Sequence, residues 1–127
     1  MTRRSPRVYV LGNPLLREDS IPLKMLPRLR ASFPDIDFLE IDPTEEFPEE
    51  DDLIIIDTVL NTDKVVVIRD IDKLSSQPNY SLHDFDLAFQ LKLMKKMGKV
   101  KEVTIIGLPP EIDEKKALEG ISRFLSS

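Results

Sequence analysis

Five short runs rich in aliphatic and β-branched residues, at positions 8–11, 36–41, 53–56, 64–68 and 103–106, alternate with stretches whose apolar residues recur at helical spacing. Strands alternating with helices imply a mainly parallel sheet covered on both faces. The run Leu53, Ile54, Ile55, Ile56 is continuously apolar, the pattern of a central strand buried on both sides, whereas 36–41 alternates and reads as nearer an edge. Residues 53–57 and 64–68 are separated by a short polar turn. A parallel crossover needs a dozen or more residues, so these two are expected to pair antiparallel. The expectation is a single α/β domain over residues 7–127, after a tail of 1–6, with a mixed, mostly parallel five-stranded sheet.

Three helices are predicted. Leu23, Leu26, Leu29 and Phe33 share one face of a helix opening at Asp19 or Ser20. Pro22 suits its first turn, but Pro27 removes an internal hydrogen bond, so a kink or interruption is expected there. A second helix is expected to open at Ser81, with Asp84 completing a capping box. Leu87, Leu91 and Met94 form its inward stripe and Gly98 its stop. A third, from about 113 to 125, carries Ala117, Leu118, Ile121 and Phe124 or Leu125.

Composition removes whole classes of function. The chain has 127 residues, 41% of them hydrophobic and 32% charged, and no apolar run approaches a membrane span. The apolar stretch after Arg3 and Arg4 is too short for a signal-peptide core, so a cytoplasmic protein without membrane insertion is expected. The absence of cysteine excludes disulfides, a zinc–thiolate site and a cysteine nucleophile. A net charge of −5, with scattered basic residues, argues against nucleic acid or an anionic membrane as partner. The densest charge run, Glu45, Glu46, Glu49, Glu50, Asp51 and Asp52, is interrupted by Pro48 and reads as a solvated loop.

In open α/β sheets ligands bind beyond the carboxyl ends of the strands. That edge gathers Gly12 and Asn13, Asp42, Asp57 and Gly107, while the following segments bring Asp19 and His83 to helix starts. Each has an ordinary structural explanation. Asp19 stands where a helix N-cap is wanted. Asp57 closes an apolar strand, where turns begin, although a carboxylate there is costly to desolvate. His83 is the sole histidine, in a first helical turn. Two carboxylates and an imidazole together form an oxygen–nitrogen donor set suited to a divalent transition metal.

These residues resemble the hydrogenase maturation endopeptidases. The segment Leu11-Gly12-Asn13-Pro14-Leu15-Leu16-Arg17-Glu18-Asp19-Ser20 is similar to the family's opening strand and its Gly-Asn-x-Leu and paired-acid motif. Ile54-Ile55-Ile56-Asp57-Thr58 is similar to its aspartate-closed central strand, and Ser81-Leu82-His83 to its Ser/Thr-x-His segment. Ile41-Asp42-Pro43-Thr44 and Ile105-Ile106-Gly107-Leu108-Pro109-Pro110 extend the likeness. Ser20 and Pro43 stand where the family has glycine, so both loops lose backbone freedom.

The resemblance implies a phosphorylase/hydrolase-like sheet and a peptidase, monomeric, that removes the C-terminal extension of a hydrogenase large-subunit precursor. Asp19, Asp57 and His83 would be its catalytic and metal-binding residues. The metal would be nickel supplied by the precursor, replaceable in vitro by another divalent transition metal. Water would be the nucleophile, activated by the metal or by a carboxylate, since no serine or cysteine with a base is visible. Asp42 would play a supporting part. Two other readings share these residues. One is a non-catalytic, metal-binding assembly factor. The other is a phosphorylation-dependent receiver domain, which the lack of a lysine at the end of the last strand disfavours.

Overall fold

The computed structural model describes residues 6–12, 21–42, 47–69, 71, 81–82 and 85–126, the side chains of 81–82 and 85–86 excepted. The strands are β1 (Arg7–Leu11), β2 (Asp37–Ile41), β3 (Glu50–Leu60), β4 (Val66–Ile68), β5 (Ser81–Leu82) and β6 (Val100–Leu108). The helices are α1 (Ile21–Lys24), α2 (Leu26–Ser32), α3 (Phe85–Lys96) and α4 (Glu114–Leu125). The strand order is β2-β1-β3-β6-β4, with β1, β2, β3 and β6 mutually parallel and β4 antiparallel to β6. This is the mixed, mostly parallel α/β sheet that the alternation predicts.

Side-chain alternation divides the core in two. Val8, Val10, Phe38, Ile56, Ile106 and Leu108 pack with Ile21, Met25, Leu29, Ala117 and Ile121, so α1, α2 and α4 cover one face. Tyr9, Leu11, Leu53, Ile55, Val103 and Ile105 pack with Leu87, Leu91 and Met94 of α3 on the other. As its apolar run predicts, β3 lies at the centre, and β2 forms an edge.

One predicted pairing is corrected. β3 and β4 are not neighbours, because β6 lies between them. β6 has nine residues and pairs with β3 from Glu50↔Val100 to Thr58↔Leu108, whereas β4 has three. The place beside a strand buried on both faces goes to the strand able to cover it. The link from Leu60 to Val66 turns at Asn61, whose φ of 63° suits asparagine better than most side chains. It has ample length for the roughly 10 Å across one intervening strand.

Two further differences are local. The acidic run is not wholly loop: Glu50, Asp51 and Asp52 begin β3. Pairing with β6 organises them, and they meet cations there, Arg7 with Glu50 at 3.4 Å and Lys101 with Asp51 at 3.9 Å. Tyr9 Oη also donates to Glu50 at 3.0 Å. Its phenol is held above the usual tyrosine range, chiefly because burial disfavours the phenolate. Ser81 does not open the helix. It belongs to β5, pairing with Leu60 while Leu82 pairs with Val59, and the helix begins at Phe85. A hydrogen-bonded ladder to an available strand end takes the place of the expected first turn.

The predicted break at Pro27 is present. α1 stops at Lys24 and α2 starts at Leu26, with the proline in the first turn of the second segment, where its missing N–H costs nothing. Gly98, at φ 73°, ends α3, and the N–H of Lys99 reaches back to the carbonyl of Met94 at 3.0 Å. Asp113 caps α4 through the N–H of Lys115 at 3.2 Å.

Gly120 of α4 gives a test of this packing. In an exposed helix, Gly→Ala normally stabilises by about 0.5–1 kcal/mol. Here a Cβ would fall 2.6 Å from both Cβ and Cγ2 of Val65. Overpacking costs typically ~1–3 kcal/mol, so the steric effect wins. Gly120→Ala should lower the thermal midpoint by a few degrees, and a raised midpoint would disprove this contact.

Candidate functional site

Asp57 is the one of the three sequence-predicted site residues that lies within the described structure. Asp19 and His83 lie outside the described residues, as do Asn13 and Glu18. Asp57 is 2% exposed on the central strand. It sits between Ile55 and Val59, which with Leu53 pack toward α3. The period of two therefore places its side chain on the α3 face. It does not close its strand, as the sequence suggests. β3 continues through Thr58 to Leu60, held by Leu108 on one side and β5 beyond.

A carboxylate taken this far out of water loses several kcal/mol of solvation unless donors replace it. The backbone N–H of Thr58 is one, donating to Asp57 Oδ1 at 2.8 Å. Thr58 itself is 0% exposed, points by alternation to the opposite face, and leaves Oγ1 without a hydrogen-bond partner. The sequence carried no signal for this pairing, because a main-chain donor leaves no trace in residue type.

The backbone brings the flanks of this site together. β1 pairs with β3 at Val10↔Ile56, so Leu11 and buried Gly12 leave the sheet alongside Asp57 and Thr58. The segment carrying Asp19 starts there and ends at Ile21, which packs with Ile56 and Ile106. On the far side, Leu82 pairs with Val59, about 7 Å along the strand from Asp57, and is the last described residue before His83.

Gly107 is register partner to both Asp57 and Val66. A Cβ on it would collide with Val59 Cγ2 and would lie 2.9 Å from Val59 Cβ and 3.0 Å from Val66 Cγ2. The glycine is thus required by close approach. Asp42 follows β2, exposed, two strands from β3. Among the described residues no three acidic or imidazole side chains gather as a metal cluster. What the described residues provide is a desolvated carboxylate, anchored through its neighbour's N–H, at the edge where the four parallel strands deliver their loops.

The comparisons with known proteins bear on this edge. Neither characterised proteins nor solved structures gave a significant match. No helix among the described residues is long and apolar enough to cross a membrane. A family model described as hydrogenase maturation protease matches residues 40–123, about two thirds of the chain. The matched stretch includes Asp57, the position of His83 and all of β3 and β6, while the segment carrying Asp19 precedes it. With most of its sheet and the buried carboxylate inside that match, this chain belongs to the hydrogenase maturation protease family.

Proposed function

We propose that this protein is an endopeptidase that removes the C-terminal extension of a nickel-loaded hydrogenase large-subunit precursor, in the cytoplasm and as a monomer. The observation that carries the proposal is Asp57, a buried carboxylate on the central strand of a chain that belongs to a protease family. Burial at that cost is unrewarding for a turn residue and appropriate to a ligand or a base.

In this reading the nickel arrives with the substrate. Asp19, Asp57 and His83 grip it, which fixes the adjoining peptide bond in place and converts part of the reaction's entropy cost into binding. Carboxylate oxygens and an imidazole nitrogen suit a divalent first-row ion. Water attacks the scissile carbonyl, a carboxylate takes its proton, and the amine of the released tail leaves protonated. The anchoring of Asp57 Oδ1 by Thr58 favours a fixed carboxylate orientation.

The decisive test mixes the protein with nickel-loaded and with nickel-free precursor and follows the precursor's mass. Loss of the tail from the loaded form alone is expected. Retention on the loaded form would replace the endopeptidase by a non-catalytic assembly factor. His83→Ala should abolish processing with the fold intact, and a fully active His83→Ala would sink the metal-gripping role.

A further inference from the structure

α3 is apolar on two opposite sides. Leu87, Leu91 and Met94 are buried against the sheet. At about 100° per residue, Phe89 lies roughly 200° around the helix from both Leu87 and Leu91. Phe89 and Leu93 of α3 and Met97, one residue past its end, follow one another at intervals of four and are 71%, 47% and 58% exposed. Among the described residues these are three of five exposed large hydrophobics, and the other two, Leu39 and Val67, stand singly on separate strands. An apolar side of a helix is normally turned to a covering surface, with polar residues on the side that faces water. α4 shows the contrast: its Ala117 and Ile121 are buried and its outer face is charged.

The described charged residues beside the stripe are basic. A hollow of about 500 Å³ beside it is lined, among the described residues, by Ile71, Phe89, Lys92, Leu93, Lys95 and Lys96, and the charged ones of these are lysines. The chain as a whole carries five more acidic than basic residues. A concentrated basic rim on an acidic protein selects for an acidic-rimmed partner and against a second copy of itself.

We infer that the outer face of α3, centred on Phe89, Leu93 and Met97 and rimmed by Lys92, Lys95 and Lys96, is the docking surface for the folded body of the large-subunit precursor. This rests on the endopeptidase reading for the partner's identity. Position ties the surface to the site. α3 covers the sheet face toward which Asp57 points, and it starts three residues after Leu82, the register partner of Val59. The stripe begins about 6 Å along the helix from Phe85 and runs about 12 Å further. A specific interface covers about 800 Å² on each partner, roughly 30 Å across. A folded partner that presents its tail at Asp57 is wide enough to reach this stripe, and the surface that meets it would offer an apolar centre with acidic groups around it.

The experiment compares steady-state cleavage of full-length, nickel-loaded precursor, and its equilibrium binding, by the wild type, by Leu93→Glu and by the double variant Lys95→Glu/Lys96→Glu. All three replaced residues are exposed, and unchanged melting curves verify that folding is not at issue. Loss of a central interface anchor commonly weakens binding about thirtyfold or more. KM and the dissociation constant are expected to rise by about that factor with kcat within twofold. The lysine variant should also lose most of the salt dependence of binding.

If the wild type cleaves and both variants keep its KM, the docking surface is wrong and the endopeptidase reading survives. If the wild type binds but never cleaves, while the variants bind about thirtyfold more weakly, the endopeptidase reading falls and the surface stands. A wild-type dimer that Leu93→Glu converts to monomers, with KM unchanged, would assign the stripe to self-association and overturn the inference. A wild type that neither binds nor cleaves the precursor ends both.

Discussion

Asp57→Asn should lower the rate of precursor processing by about a thousandfold or more, while leaving the protein as stable as before. Asparagine keeps the shape of the side chain and an oxygen that can accept the Thr58 N–H, so the 2.8 Å contact survives. What it removes is the negative charge, which both metal gripping and proton abstraction require. General acid–base catalysis alone contributes about 10²–10⁴-fold. Because asparagine fills the same volume and keeps the Thr58 contact, the thermal midpoint should change little. Mass analysis of the precursor over time reads the first effect and thermal melting the second. Processing within tenfold of wild type would show that the buried carboxylate is structural.

The largest effect on stability is expected at Gly107. A methyl group there meets Val59 and Val66 from two strands at once, and the contact with Val59 Cβ cannot be relieved by a change of rotamer. Both valines are buried, Val59 fully and Val66 at 9%, so the strands themselves must move apart. Overpacking a tight core costs typically ~1–3 kcal/mol, and a rigid neighbour on each side puts Gly107→Ala at about 3 kcal/mol. For a domain of this size that is roughly 10 °C in thermal midpoint. It is a large share of the ~5–15 kcal/mol that holds a typical domain together. Adding Val59→Ala removes the Cγ2 clash and should recover part of the loss. A single variant melting within 2 °C of wild type would refute the close approach. Since Gly107 is register partner to Asp57, processing by the variant should fall even at temperatures where it stays folded.

How much of the site was legible depends on what each residue needs in order to be noticed. Asp57 stood out because a carboxylate directly after Leu53, Ile54, Ile55 and Ile56 contradicts the burial of its neighbours. The structure puts it further inside than that reading allowed, three residues before the end of β3. Thr58 carries no such signal, because its contribution is a main-chain N–H, which every residue but proline possesses. Gly107 was placed at the right edge, but the crowding that requires a glycine comes from Val59 and Val66, on two other strands. For the segment carrying Asp19, the motif itself remains the support, since the family match begins at residue 40.

The secondary structure shows the same division. Pro27 and Gly98 act through their own backbones, so an interruption and a helix stop could be assigned from residue type. Ser81 and Asp84 carried an equally good local signal for a cap. Residues 81–82 instead pair with Val59 and Leu60 and the helix starts at Phe85, because a strand end within reach is a partner that local sequence does not reveal. The outer stripe of α3 was within the apolar pattern of the sequence all along. Only the packing of Leu87, Leu91 and Met94 against the sheet decided which of its two apolar sides would be left outside.

By itself, then, the sequence determined the alternation of strands and helices, the burial of the central strand and a solitary carboxylate within apolar surroundings. These follow from periodicity and polarity, which each segment carries within itself. The tertiary structure decided that β6 separates β3 from β4, that the chain before His83 is a strand beside Val59, and that α3 turns Phe89, Leu93 and Met97 outward. Each of these is a choice between partners distant in the chain. Local periodicity says that a surface must be covered, and only the competition among all the covering elements settles what covers it.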